Sequence, residues 1–155
     1  MVAKSLNHLA IPEYISSGTC EYNEKDFRFL VIDRYQTDLQ RIVDRPEANN
    51  RMKSLIGVLC LMRQILFSLE YIHRRGYAHG DIKGSNIMLK NDHEAFLVDF
   101  GLAFRFKRYN IHQKYEIKPE RRHNGTIEYT SRDAHDGARN ISKNSLINLR
   151  FLLII

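Results

Sequence analysis

His79-Gly80-Asp81-Ile82-Lys83-Gly84-Ser85-Asn86 sets an Asp, a Lys two residues on and an Asn five residues on within one short stretch. Transfer of a phosphoryl group needs these three groups together. A carboxylate can accept a hydroxyl proton, an ammonium can neutralise an oxygen of the moving group, and an amide carbonyl can help hold Mg2+ while charge spreads. Asp99-Phe100-Gly101 ends the next apolar run. There a second carboxylate can bind Mg2+, and the glycine is expected to let the chain turn sharply. Alone, Asp-Phe-Gly is an ordinary turn tripeptide; its place after the first motif gives it meaning.

Working outward, the first motif is a loop between a helix and a strand. From Met52 to Arg75, Leu55, Val58, Leu59, Met62, Ile65, Leu66, Leu69 and Ile72 recur at helical spacing, and Arg74, Arg75 and Gly76 supply a basic last turn and a C-cap. Ile87-Met88-Leu89 and Ala95-Phe96-Leu97-Val98 read as strands joined by Lys90-Asn91-Asp92-His93, a connection of hairpin length. Upstream, Phe27 to Asp33 alternates and then turns apolar, which predicts a buried strand ending at a carboxylate. Asp38 to Val43 predicts a short helix with Asp38 near its start, stopped by Pro46.

With 155 residues, 43% hydrophobic and 27% charged, the chain is of one-domain size and has a folding composition, which excludes disorder, collagen and coiled coil. Its net charge of +6 suits anionic partners without identifying one. Much of that excess falls between residues 104 and 123, where Arg105, Lys107, Arg108, Lys114, Lys118, Arg121 and Arg122 face only Glu116 and Glu120. Such a run is either a solvated loop face or a basic binding surface. Two cysteines, Cys20 and Cys60, give no disulfide framework and no Cys-x-x-Cys site, and fit a reducing compartment. No apolar run of signal-peptide length opens the chain, and none approaches the roughly 18 apolar residues that would span a bilayer, so no membrane role is expected.

An Asp-x-Lys-x-x-Asn loop, a short strand pair and then Asp-Phe-Gly, all following a long amphipathic helix, resemble the catalytic core of the eukaryotic protein kinases. Within them the chain is similar to the vaccinia-related kinase family of the casein-kinase-1-like group. The residues that carry this are Tyr77 to Asn86, Leu97-Val98-Asp99-Phe100-Gly101-Leu102-Ala103, and Asn124-Gly125-Thr126-Ile127-Glu128-Tyr129-Thr130-Ser131-Arg132-Asp133-Ala134-His135. Arg34-Tyr35-Gln36-Thr37-Asp38-Leu39-Gln40 looks like that family's hinge.

The resemblance implies an α+β, protein-kinase-like fold, in part: the end of the small lobe, the hinge, and the start of the helical large lobe with catalytic loop and activation segment. It implies ATP and Mg2+, with Asp81 as catalytic base, Lys83 toward the γ-phosphate, and Asn86 and Asp99 on the metal. Thr126 would lie beside Asp81 and Lys83 in the substrate groove. Asp33 to Tyr35 would bind adenine through the backbone, with Ile32 gating the pocket and Met88 as its floor. Without the resemblance, Ile32 and Met88 read as core packing. The implied reaction is phosphate transfer to Ser or Thr hydroxyls of proteins, nuclear and chromatin-associated ones among them, in the nucleus or cytoplasm.

Departures shape the expectation further. No Gly-x-Gly-x-x-Gly precedes Pro12, and neither the strand Lys nor its helix Glu partner is found, so weak MgATP binding is expected of this chain alone. Gly80 stands where most protein kinases carry an Arg that pairs with a phosphate on the activation segment. The kinase-like part is placed at residues 1–137. Residues 138–155 form a divergent hydrophobic tail, with Ser145 where family members carry an Asp. The competing expectations are a non-catalytic interaction module, and a basic module that binds acidic protein or nucleic acid through residues 105–122.

Overall fold

Asn23 and Glu24 both take positive φ, 50° and 59°, and so close a two-residue hairpin turn whose twist matches its strands. The computed structural model describes residues 9–45, 55–108 and 111–112. Its first elements are that hairpin, β1 (Ser16–Tyr22) and β2 (Lys25–Val31). A short strand β3 (Thr37–Asp38) leads into helix α1 (Leu39–Asp44), and helix α2 (Leu55–Arg74) follows. Then come β4 (Tyr77–Ala78), β5 (Ile87–Asn91), β6 (Glu94–Leu97), β7 (Phe104–Arg105), β8 (Lys107–Arg108) and β9 (Ile111–His112). Strands β3, β5 and β6 form an antiparallel sheet in that order, while β4 pairs with β7 and β8 with β9.

The core lies between α2 and this three-stranded sheet. Leu61, Met62, Ile65, Leu69 and Ile72 stand on one face of the helix and are buried, as the helical spacing predicts. Against them lie Ile87, Leu89, Ala95 and Leu97, the inward residues of β5 and β6. Gln64 fixes the register of helix on hairpin: its Nε2 donates to the His93 carbonyl at 2.7 Å, and its Oε1 accepts from the Ala95 amide at 3.1 Å. The connection expected over four residues is tighter, because β5 runs to Asn91 and β6 begins at Glu94. The Asn91 side chain accepts from the His93 amide at 2.8 Å and closes the turn.

At the end of α2 the Arg75 and Gly76 amides bond to the Ile72 and His73 carbonyls at 3.1 and 2.9 Å, and Gly76 takes φ +79°. A Cβ on Gly76 would meet the Lys107 carbonyl oxygen at 2.6 Å, so the predicted cap is also a point of close approach. One expectation is corrected here: by length and composition Ile56–Arg74 is apolar enough to cross a membrane. The extra apolar character lies on its outer face, where Ile56, Leu59, Leu66 and Phe67 are exposed, while the inner face is packed in the core.

Helix α1 begins as predicted. Asp38 is its N-cap, accepting from the Arg41 amide at 3.0 Å and pairing with the Arg41 guanidinium at 3.2 Å. Leu39 and Ile42 enter the core, and the helix ends at Asp44, ahead of Pro46, which lies outside the described residues.

The buried strand predicted at Phe27 to Asp33 is corrected twice. Strand β2 ends at Val31, and every residue in it is exposed, with Phe29 at 44% and Leu30 at 63%. A strand buries its alternating residues only if another layer covers them, and among the described residues no layer covers this ribbon. Its main internal support is Phe29, whose ring lies across Gly18, its cross-strand partner, so closely that a Cβ there would sit 2.6 Å from the ring.

Candidate functional site

The loop between β4 and β5 begins at His79, which is wholly buried. Its Nδ1 accepts from the Asp81 amide at 3.3 Å, so Nε2 carries the proton and donates to the Val98 carbonyl at 2.9 Å. The ring meets Phe100 edge-on at 4.7 Å. Burial holds the imidazole below its usual pKa. The Val98 carbonyl and the Asp81 and Asp99 charges pull the other way, and Lys83 adds to the lowering. His73, with Phe106 edge-on at 6.1 Å, is pushed down by burial as well. Above about pH 6.5 both rings are neutral whether the chain is folded or not; below it the unfolded chain takes up protons that the folded chain resists. The melting temperature is therefore expected to fall as pH drops from neutral into the mildly acid range, and to fall less in His73→Phe. A flat profile across that range would contradict the burial of both rings.

Asp81, Lys83 and Asn86 come together as the sequence predicts. Lys83 Nζ is 2.7 Å from Asp81 Oδ2, and Asn86 Nδ2 donates to the Asp81 carbonyl at 2.8 Å and to Oδ2 at 3.1 Å. Asp81 and Asn86 are both buried, at 7% and 5% exposure, so the carboxylate is oriented by its neighbours before any substrate arrives. Gly84 lets this loop press on α1: a Cβ there would lie 2.8 Å from Gln40 Oε1 and 3.1 Å from its backbone nitrogen.

Asp99 follows β6, and the Val98 amide bonds to the Asn86 carbonyl at 3.0 Å, which ties the two motifs together. The sharp turn expected of Gly101 belongs instead to Asp99, in the left-handed region at φ 60°. Its Oδ1 accepts from the Gly101 amide at 3.2 Å and starts a 3-10 turn, Phe100–Leu102. An Asp tolerates that backbone because its own side chain bonds locally. Asp99 is exposed, and Asn86 turns its amide oxygen away from Asp81 because its nitrogen is engaged there. One carboxylate and one amide oxygen suit Mg2+, which takes one or two protein ligands beside phosphate oxygens and water. No group of three or more His, Cys, Asp or Glu among the described residues could hold a metal alone.

The expected nucleotide-binding residues divide between two places. Tyr35 is half-buried, its ring 5.0 Å from Phe96, and Phe96 is the cross-strand partner of Met88 on the outer face of the sheet. Burial and the nearby Asp33 push the Tyr35 hydroxyl up to about 12. Asp33 is exposed and pairs with Lys90 at 3.3 Å, and Ile32 is half-buried where the chain leaves β2. Met88 is therefore not core packing: Ile87 and Leu89 point inward and Met88 outward. Phe96 was not singled out from the sequence, although its alternation with Ala95 and Leu97 marks it as outward-facing. A small apolar cavity of about 150 Å³ lies behind Phe100, lined by Ile72, Tyr77, Ala78 and Ala103 among others, apart from the Asp81 cluster. Thr126, most of the basic segment and residues 138–155 lie outside the described residues.

The protein kinase domain family matches residues 1–135. Human serine/threonine-protein kinase VRK2 is 42% identical over 136 residues, covering 86% of this chain and 26% of that protein. Nucleosomal histone kinase 1 of Drosophila melanogaster is 38% identical over 141 residues, 88% of this chain and 22% of that protein. The solved structure of vaccinia related kinase 3 superposes with a TM-score of 0.82 at 27% identity, over 97% of this chain and 45% of that one. The chain thus spans between about a fifth and a half of the length of these relatives.

Proposed function

The chain belongs to the protein kinase family and is similar to its vaccinia-related members, and on that premise we propose that it carries the catalytic core of an ATP-dependent serine/threonine phosphoryl-transfer site. The observation that carries this reading is the hydrogen-bonded cluster of Asp81, Lys83 and Asn86, tied through Val98 to Asp99. In the proposed reaction the substrate hydroxyl oxygen bonds to the γ-phosphorus, the bond from γ-phosphorus to the bridging oxygen breaks, and ADP leaves. Asp81 takes the hydroxyl proton, and Lys83 offsets charge on the transferring group. Asn86 and Asp99 would hold Mg2+, which would neutralise the phosphate oxygens. Adenine would rest between the 33–35 backbone and the Met88 and Phe96 face, with Ile32 at its edge and Thr126 in the substrate groove.

The Lys83 position favours Ser and Thr over Tyr. A relative named for nucleosomal histones supports basic chromatin proteins as substrates, and hence a nuclear site of action. Titration of ATP with Mg2+ into the chain tests the metal assignment. Binding is expected to weaken by more than about tenfold in Asp99→Ala; equal affinity in the variant would overturn the assignment.

A further inference from the structure

Gly80 lies within the first motif, against the turn that follows Asp99, and has no side chain to offer either. Its φ is +88°, a conformation that L side chains rarely adopt. A Cβ built there would lie 2.5 Å from the Leu102 carbonyl oxygen and 3.1 Å from the Leu102 carbonyl carbon. Both are backbone atoms, so no rotamer change could make room. Two independent properties of this position, backbone angle and clearance, therefore exclude any larger residue unless the segment after Asp99 moves.

That segment transmits movement to Asp99. Leu102 closes the 3-10 turn that Asp99 opens, and the turn is braced by the Gly101 amide on Asp99 Oδ1 at 3.2 Å and the Ala103 amide on the Phe100 carbonyl at 2.9 Å. Residues 77–80 run against 98–105 along their whole length: Tyr77 faces Arg105 and Ala78 faces Phe104 in the β4–β7 pair, His79 holds Val98 and Phe100, and Gly80 receives Leu102.

We propose that Gly80 is a positioning residue, whose bare α-carbon seats the Leu102 carbonyl and so fixes Asp99 by backbone packing. This deepens the phosphoryl-transfer reading and rests on it for the role of Asp99. It follows that order at Asp99 is built into the resting chain.

Gly76 supplies a matched control. It also has positive φ, +79°, and a Cβ there would meet a carbonyl oxygen, that of Lys107, at 2.6 Å, but its neighbours are the Phe106 and Lys107 amides and not the Asp99 turn. Amide hydrogen exchange and Mn2+·ADP calorimetry are compared for the 155-residue chain, Gly80→Ala and Gly76→Ala. Gly80→Ala is expected to speed exchange across 100–104 and to weaken Mn2+·ADP about tenfold or more, whereas Gly76→Ala speeds exchange at 106–107 and leaves the nucleotide within about twofold.

Unchanged exchange across 100–104 in Gly80→Ala would overturn the proposal, as would equal loss of nucleotide affinity in both variants. If Gly80→Ala does not fold, Leu102→Gly keeps the carbonyl but gives more freedom to the backbone that presents it to Gly80, and is expected to give the same exchange pattern; protection as in the parent chain would sink the idea. Absence of Mn2+·ADP binding by the parent chain would count against the phosphoryl-transfer reading, and the exchange comparison would still decide the role of Gly80.

Discussion

Asp81→Asn is expected to lower γ-phosphate transfer to a protein hydroxyl by about 10²–10⁴-fold, the usual contribution of a positioned general base. The substitution keeps the shape of the side chain and an acceptor toward Lys83 and Asn86, which approach Asp81 Oδ2 at 2.7 and 3.1 Å, but removes the carboxylate proposed to accept the proton. Mg·ATP affinity is expected to change little, since Asp99 and Asn86 are the assigned metal ligands. The measurement is label transfer from ATP at saturating nucleotide, beside a binding titration. A variant that transfers at the parent rate would remove Asp81 from the base role; one that loses nucleotide binding in step with rate would make its part structural.

Leu69→Ala carries the largest expected effect on stability, about 2–5 kcal/mol, because the residue is fully buried on the inner face of α2 and its removal leaves a cavity. Leu59, on the same helix but half exposed, is the comparison, and Leu59→Ala is expected to cost well under half as much. Urea midpoints of the two variants decide between them. Similar losses would mean that the outer face of α2 is also packed.

The helix–loop–hairpin core was legible because its signals are local. Helical spacing, a glycine past the last turn and strand alternation each report on a few neighbouring residues, and the cluster of Asp81, Lys83 and Asn86 is set by spacing within one loop. Phe27 to Asp33 was misread because alternation reveals a two-faced strand but not whether a layer will cover either face. The turn at Asp99 was assigned to the wrong residue because Gly101 is the obvious left-handed candidate, whereas the Asp side chain stabilises that conformation by bonding the Gly101 amide. Gly80 was legible as a missing arginine. Its closeness to Leu102 depends on residues over twenty positions away in sequence, which no local pattern encodes.

The stretch after β2 is fastened to the sheet beneath it. Asp33 is held by Lys90, Tyr35 by Phe96, and the Gln36 amide by the Leu89 carbonyl at 2.9 Å, so three successive grips fix it to the β5–β6 sheet. On the other side, the Ile15 amide bonds to the Val31 carbonyl at 3.1 Å and makes the hairpin a single lever. Between these anchorages stands Ile32. The strand β1 side is anchored too, by the Leu97 amide on the Ala10 carbonyl at 2.8 Å, so tilting of the lever against the sheet falls on residues 11–14 and on Ile32; one of its two fulcra thus coincides with the side chain proposed for the edge of the nucleotide pocket, and rocking the hairpin would widen or narrow that edge.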